Sequence, residues 1–385
     1  MRIRTGIVGM GFIGVCHLDA IKRIGFAEIS AVADMDFELA KRKADEFGVS
    51  KCYETVDALV ADPEIDIVHN CTPNFMHFEI NEKIIKAGKH ILSEKPLALN
   101  SDESHKMLML LEQNPEIVHA VNFNYRMNPL VQDMKNRIAA GEIGKPMLVH
   151  GSYLQDWLLY DTDYNWRLEP EVGGPSRCIA DIGSHWMDLA QVVTGSKITE
   201  VCADLATTIP VRKKPKGRVE TFAVNTNTEY EEKEIKTEDF GAVLVKFENG
   251  LHGEFLVSQI SAGRKCHLNI EIDGSKASYY WNQETADHMW MGNREGYNCE
   301  IFRNPNLMTK ESRPYTYLAA GHPEGWNDAM RNNIYAIYKF IADGKRIGKD
   351  NADFASFYDG HYIMKLTEAI LQSSAERRWV KVAKS

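Results

Sequence analysis

The sequence holds no apolar run long enough to cross a bilayer, so no membrane-spanning helix is expected. It opens on Met1-Arg2-Ile3-Arg4-Thr5-Gly6, which leads straight into a strand pattern without the apolar stretch of a secretory leader. Cysteine is sparse and scattered, at positions 16, 52, 71, 178, 202, 266 and 299, with no Cys-x-x-Cys pair. An odd, dispersed set excludes a disulfide framework and a zinc cage; it suits reduced thiols, and the expectation is a cytoplasmic protein without a bound metal. Positive charge is not in excess. A net charge of -9 argues against a nucleic-acid partner or an anionic membrane surface. The one basic run, Arg212-Lys213-Lys214-Pro215-Lys216-Gly217-Arg218, precedes an acidic run from Glu229 to Glu234, and the pair reads as a solvated loop with compensating charge. Internal repeats and low-complexity linkers are also missing.

What is present is a globular composition, 44% hydrophobic and 26% charged, spread over 385 residues. That length exceeds a single ordinary core and predicts two domains. Residues 3–8, 28–33, 65–71, 90–93 and 117–123 read as buried strands. Helical spacing recurs between them, in Val15, Leu18, Ile21 and Ile24, then in Phe37, Ala40, Ala44 and Phe47, then over 75–87 and 102–112. Strands separated by crossover helices predict a doubly wound parallel sheet, an α/β Rossmann domain over residues 1–127.

The rhythm breaks at Arg126-Met127-Asn128-Pro129. Beyond it, Asn249-Gly250 lies between the strand patterns 240–247 and 251–259, and Asp273-Gly274-Ser275-Lys276 between 267–272 and 277–281; both read as hairpins. Helices are expected over 130–140, 180–193, 326–342 and 354–375. Residues 128–385 therefore read as an α+β domain with a large, mainly antiparallel, open-faced sheet.

Gly9-Met10-Gly11-Phe12-Ile13-Gly14 follows the first strand and opens the first helix. Glycines there permit a tight turn and bring backbone N–H groups against a pyrophosphate. Asp34 ends the second strand, where a carboxylate hydrogen-bonds ribose hydroxyls and repels a 2′-phosphate; with no Arg or Lys at 35–37, the cofactor expected is NAD. Thr72-Pro73-Asn74 ends a later strand and is small enough to lie against a nicotinamide ribose, although Asn74 also suits a helix cap. Glu94-Lys95-Pro96 places a charged pair at the carboxyl edge of the sheet, where cofactor and substrate meet. Asp181 and His185 stand at i and i+4 on a helix, so a carboxylate can orient an imidazole. Gly183 between them leaves room for a sugar-sized ligand. An N-cap Asp with a core His is the competing reading by pattern alone. Tyr153-Leu154-Gln155-Asp156-Trp157 and Tyr164-Asn165-Trp166-Arg167 fit either a saccharide site or a loop whose tryptophans fill a core.

Together these residues, with His77, Tyr125-Arg126 and Thr237-Glu238-Asp239-Phe240, resemble the Gfo/Idh/MocA family of oxidoreductases over nearly the whole chain. The resemblance implies a Rossmann domain followed by an open-faced sheet that mediates a homodimer or homotetramer. It implies that Lys95 contacts nicotinamide ribose and substrate, that the Lys95-Pro96 bond is cis, and that His185 is the acid/base with Asp181 as partner. Cofactor contacts are expected from Gly9, Gly11, Phe12, Ile13, Gly14, Asp34, Thr72, Pro73, Asn74, His77, Glu94, Lys95, Asn122, Trp166 and Arg167. Substrate contacts are expected from Lys95, Tyr125, Gln155, Trp157, Arg167, Asp181 and His185. The expected reaction is NAD-dependent oxidation of a secondary hydroxyl of a sugar, anhydro-sugar or cyclitol. It requires the lysine of one domain and the imidazole of the other to meet across a cleft. Two alternatives stay open: an enzyme that retains its NAD, of glycosidase or transhydrogenase type, and a non-catalytic NAD- and sugar-sensing regulator.

Overall fold

The computed structural model describes residues 2–216 and 229–383. Gly217 and Arg218, the end of the basic run, lie outside the described residues. No described helix is long and apolar enough to cross a membrane. The chain forms two compact units: Met1–Met127 with Asn327–Met364, and Asn128–Trp326 with Lys365–Ser385. The sequence reading kept 128–385 in one piece. The helix Trp326–Ala342 instead belongs almost wholly to the first unit, where its Tyr338 is fully buried and meets Thr5. A surface-like amphipathic pattern does not record which sheet its apolar face covers.

In the first unit β1 (Ile3–Val8), β2 (Ala27–Ala33), β3 (Lys51–Tyr53), β4 (Ile67–Asn70), β5 (His90–Ser93) and β6 (His119–Val121) make one sheet in the order β3-β2-β1-β4-β5-β6. Every pairing is parallel. Both faces are covered, so β4 and the core of β5 and β6 are continuous buried runs without alternation. Local chemistry sets the helix ends. Asp36 caps Phe37–Phe47 through the Leu39 N–H at 3.0 Å, and Gly48, at φ 64°, stops it. Asn100 caps Ser101–Glu112 through Glu103. The strand order reverses between β1 and β4, and ligands of such sheets bind at the carboxyl ends beside that switch.

In the second unit β7 (Pro146–Leu154), β8 (Ile198–Ala206), β11 (Phe240–Phe247), β12 (His252–Ser258), β13 (His267–Gly274), β14 (Ala277–Asn282), β15 (His288–Asn293), β16 (Cys299–Phe302) and β17 (Val380–Lys381) form a nine-stranded sheet. Only β7 and β12 run parallel; the other neighbours are antiparallel. Both expected hairpins are present, and Gly250 takes the positive φ of its turn, 83°. The helix Ser184–Thr194 covers one face, with Trp186 stacked on Phe255 at 4.6 Å. Gly151 makes that possible: a Cβ there would stand 2.3 Å from the Asn269 carbonyl and 2.7 Å from the Trp186 indole nitrogen. The opposite face leaves Leu148, Leu244 and Leu256 exposed.

The basic run is not a solvated loop. Its first part is β9 (Val211–Pro215), paired antiparallel with β10 (Tyr230–Glu234) so that Lys213 faces Glu232 and Lys214 faces Glu231. Charge compensation is thus cross-strand pairing. Arg212 is fully buried.

Candidate active site

The first-unit residues singled out from sequence gather at the carboxyl edge of the parallel sheet. Gly9 follows β1 with φ 94°, and a Cβ on it would lie 2.6 Å from the Cys71 carbonyl. A Cβ on Gly14 would strike the Gly9 carbonyl at 2.0 Å, whereas one on Gly11 would meet nothing within 4 Å. The three glycines therefore play different parts. Gly9 makes the turn, Gly11 faces open space, and Gly14 lets the helix close onto the strand. No side chain caps the helix Phe12–Lys22, whose N-cap is Gly11, so its first amides face that open side. Asp34 follows β2 and braces the loop, accepting the Met10 N–H at 2.6 Å and the Asp36 N–H at 2.8 Å. Phe12, Met35 and Phe75 stand exposed after β1, β2 and β4. The sequence reading missed Met35 and Phe75 as candidates, since only the strand order brings these loops to one edge.

Asn70, the last residue of β4, shapes the Thr72 turn by accepting the Thr72 hydroxyl at 2.6 Å, and donates to Asn81 at 2.8 Å. Asn81 in turn donates to Ser93 at the end of β5. Pro73 and Thr72 are half-buried, and Asn74 opens the short turn that precedes the helix His77–Lys86. Glu94-Lys95-Pro96 leaves β5 with a cis Lys95-Pro96 bond. Lys95 is half-buried, and its backbone N–H donates to Glu94 Oε2 at 3.2 Å.

Two expected cofactor residues are placed differently. His77 is fully buried, with Nδ1 2.6 Å from the Pro96 carbonyl and Nε2 2.8 Å from that of Thr72. It braces two loops, and its nitrogens are already engaged. Asn122 is 2% exposed; its amide donates to Glu94 Oε1 at 2.5 Å and accepts from Asn333 at 2.9 Å. Tyr125 is buried in the turn Asn124–Met127.

In the second unit the backbone around Asp181 is wider than an α-helix. Ile179–Gly183 form a π-turn that runs into Ser184–Thr194. Such turns mark functional positions in many helices. Glu238 anchors this one: its Oε1 accepts from Ser176 Oγ at 2.6 Å and from the N–H groups of Arg177 and Ile179 at 3.0 Å. Gly183 does not open a ligand space. A Cβ on it would touch Ile179 and Phe255 at 3.5–3.6 Å, so it faces the core.

Asp181 Oδ2 accepts from Gln259 at 2.9 Å, and Oδ1 lies 3.5 Å from Arg167 Nε. Arg167 stacks over the Trp166 ring at 4.3 Å. Gln259 is fully buried and accepts from Arg177, which also pairs with Asp239. His185 is 7% exposed, its ring 6.2 Å from that of Tyr153. Gln155 donates to Tyr153 at 3.5 Å and accepts the Trp157 indole N–H at 2.9 Å. The unit thus joins Tyr153 with Gln155, Trp157 and His185, and Asp181 with Arg167 and Gln259.

The aromatic loop also has a core of its own. Leu158, Tyr164 and Leu168 pack with Ile235, and Trp157 leans on them. Arg212 fastens this loop from below, donating to the carbonyls of Leu158, Tyr160 and Asp163 and to Asp239. Sequence reasoning found neither Gln259 nor Arg177 nor this role of Arg212. Their only signal is burial, which a polar letter does not carry.

Two family models match the chain: one described as the oxidoreductase family, NAD-binding Rossmann fold, over residues 3–122, and one described as the GFO/IDH/MocA C-terminal domain over 131–280. The levoglucosan dehydrogenase of Pseudarthrobacter phenanthrenivorans is 28% identical, covering 99% of this chain and 98% of its own. The glucose-6-phosphate 3-dehydrogenase of Bacillus subtilis is 25% identical, covering 99% of each. A solved levoglucosan dehydrogenase in complex with NADH and L-sorbose superposes with a TM-score of 0.88 at 27% identity over 100% of both chains.

Proposed function

This chain belongs to the Gfo/Idh/MocA family of NAD-binding oxidoreductases, and from that premise we propose that it oxidises a secondary hydroxyl of a sugar, anhydro-sugar or cyclitol with NAD. The observation that carries the reading is Lys95 just past the carboxyl end of β5, next in the sheet to β4 and one strand further from β1, whose loops leave the same edge. The hydride leaves carbon while a base takes the hydroxyl proton; an alcohol is a poor acid, so the alkoxide that forms as this proton leaves needs a cation nearby. The Lys95 ammonium supplies that charge. His185 takes the hydroxyl proton as general base, and Asp181, held by Gln259 and Arg167, supports the charge on that side.

NAD, when bound, supplies the hydride acceptor. The residues suited to hold it are the Gly9–Gly14 turn for pyrophosphate, Asp34 for the adenosine ribose, and Thr72-Pro73-Asn74 with Glu94-Lys95 for the nicotinamide ribose. The open space at Gly11 supports this fit. His77 and Asn122 serve as braces behind these contacts. Tyr125, Gln155, Trp157 and Arg167 are the proposed substrate contacts. The anhydro-sugar and sugar-phosphate substrates in the names of the full-length relatives support a polyol of this class.

A panel of monosaccharides, anhydro-sugars and inositols with NAD, read as reduced nicotinamide appearing in solution, tests the reading. Turnover on at least one polyol is expected. Its His185→Ala variant should lose roughly 10²–10⁴-fold in kcat. Undiminished kcat in that variant would remove His185 from the mechanism. A redox reaction with no reduced nicotinamide released would point to retained NAD, and tight sugar binding without turnover to a sensor.

A further inference from the structure

Two buried histidines of the first unit lie behind the proposed site and take no part in the chemistry above. His17 projects from the helix Phe12–Lys22 and His69 from β4, and both are wholly enclosed. They are links in one continuous chain. His17 Nε2 lies 2.9 Å from Glu94 Oε1, and His17 Nδ1 lies 2.8 Å from His69 Nδ1. His69 Nε2 is 3.1 Å from the Tyr338 hydroxyl, which is 2.5 Å from Thr5 Oγ1. Thr5 and Tyr338 are fully buried as well.

The direction of every bond follows from one condition, a singly protonated His17. Glu94 is 6% exposed. Burial opposes its ionisation, but the His17 and Asn122 hydrogen bonds and the Lys95 charge bring its carboxyl below the ordinary value. A carboxylate only accepts, so His17 donates from Nε2. With a single proton on His17, placed on Nε2 by the carboxylate, its Nδ1 accepts and His69 donates from its own Nδ1. Burial holds the His69 pKa well below its ordinary value, so His69 is neutral and its Nε2 accepts from the Tyr338 hydroxyl. Tyr338 accepts in turn from Thr5. Four donors point one way, and they end on the carboxylate whose other oxygen holds the Lys95 backbone N–H.

We infer that His17 and His69 are positioning residues for Lys95, acting through Glu94 as the last links of a one-way hydrogen-bond chain that starts at Thr5. The inference deepens the proposed function and rests on the role given there to Lys95. The chain joins β1, the first helix, β4, the β5 edge and the helix Trp326–Ala342, so the lysine turn is set by five elements at once. Without it the buried carboxylate keeps the Asn122 amide and the Lys95 N–H but loses its histidine donor, and the turn it holds is free to shift.

The tautomers are read directly on the wild-type protein by nitrogen-15 NMR of labelled histidine. The expected result at neutral pH is His17 protonated at Nε2 alone and His69 at Nδ1 alone. Any other pair of tautomers overturns the chain, whatever the activity. On the best substrate of the panel, His17→Leu should lower kcat by roughly tenfold to a hundredfold, the scale of a small misplacement of a reacting group, with little change in KM for NAD. His17→Gln returns an N–H donor at the Nε2 position and should restore most of the lost kcat. A folded His17→Leu variant with wild-type kcat, or a glutamine no better than the leucine, overturns the positioning role. Lys95→Ala, assayed alongside, separates the two failures. Full turnover there overturns the role of the lysine itself, whereas lost turnover there with intact turnover in His17→Leu overturns only the positioning chain.

Discussion

Arg212 shows how far a side chain can depart from the character of its neighbours. It sits in a run of cations, yet it is wholly buried and bonded to three carbonyls and Asp239. Burial alone favours losing its proton and pulls its pKa down, and Asp239 is the main counterweight. The planar fork of a guanidinium spreads five N–H donors over three nitrogens, a reach that the three donors on the single nitrogen of an ammonium do not match. Arg212→Ala should cost about 3 kcal/mol, at the lower end for breaking a buried pair because Arg177 still faces Asp239. Arg212→Lys should recover only part of that loss. Urea unfolding of both variants checks the ordering, and equal stability of Ala and wild type would show that the clasp contributes nothing. Lys213 and Lys214 beside it are solvent-facing partners of Asp161 and Glu169, as a charged run leads one to expect.

At the scale of the element, the π-turn Ile179–Gly183 carries Asp181 and leads into the helix that carries His185. The i and i+4 spacing assumed an α-helix of 3.6 residues per turn. The turn that carries Asp181 is wider than that, and its carboxylate meets Gln259 and Arg167. A single turn is too short for its period to be read from the apolar pattern. Glu238 anchors the start of this segment from 59–62 residues away in sequence. Glu238→Ala leaves the Arg177 and Ile179 amides without their acceptor and should destabilise the second unit by about 1–2 kcal/mol, the size of a lost helix cap. Glu238→Gln keeps one acceptor oxygen and should lose less. Thermal melts of the pair give the comparison, and an alanine variant melting with the wild type would refute the anchor.

At the scale of the whole molecule, acid stability follows from the buried imidazoles. His119, on β6, accepts the Phe357 N–H at Nδ1, and His90, on β5, accepts the Val118 N–H at Nδ1. An imidazolium has no lone pair to accept with, so protonation breaks both bonds. Burial pushes the His119 pKa down to about 4, against a small opposing effect of Asp359, and pushes His90 down as well. Below pH ~6.5 the unfolded chain takes up a proton that folded His119 refuses until about 4, so stability falls as pH falls through that window. Between pH 7 and pH 5 the loss from this one residue is about 2 kcal/mol, at ~1.4 kcal/mol per pH unit. Asp62, held near 2 by Lys51, acts below that range. His119→Asn offers an oxygen acceptor that does not titrate in this range, and should flatten the urea midpoint between pH 5 and 7. An unchanged slope in that variant would assign the acid sensitivity elsewhere.

Much of the architecture was legible because it is periodic or local. The glycine turn, Asp34 at the end of the second strand and both hairpins follow from residue type and spacing. Lys95 at a strand end follows from the same alternation of strand and helix. Tertiary structure alone decided the rest. It buried Arg212 within a basic run, gave the helix Trp326–Ala342 to the first unit, and joined His17, His69 and Glu94 across 52 and 77 residues of sequence. The reason is physical. Propensity and capping act within a few residues and leave a local trace, whereas the partners of a buried polar group are chosen by packing, and packing distance has no image in sequence distance.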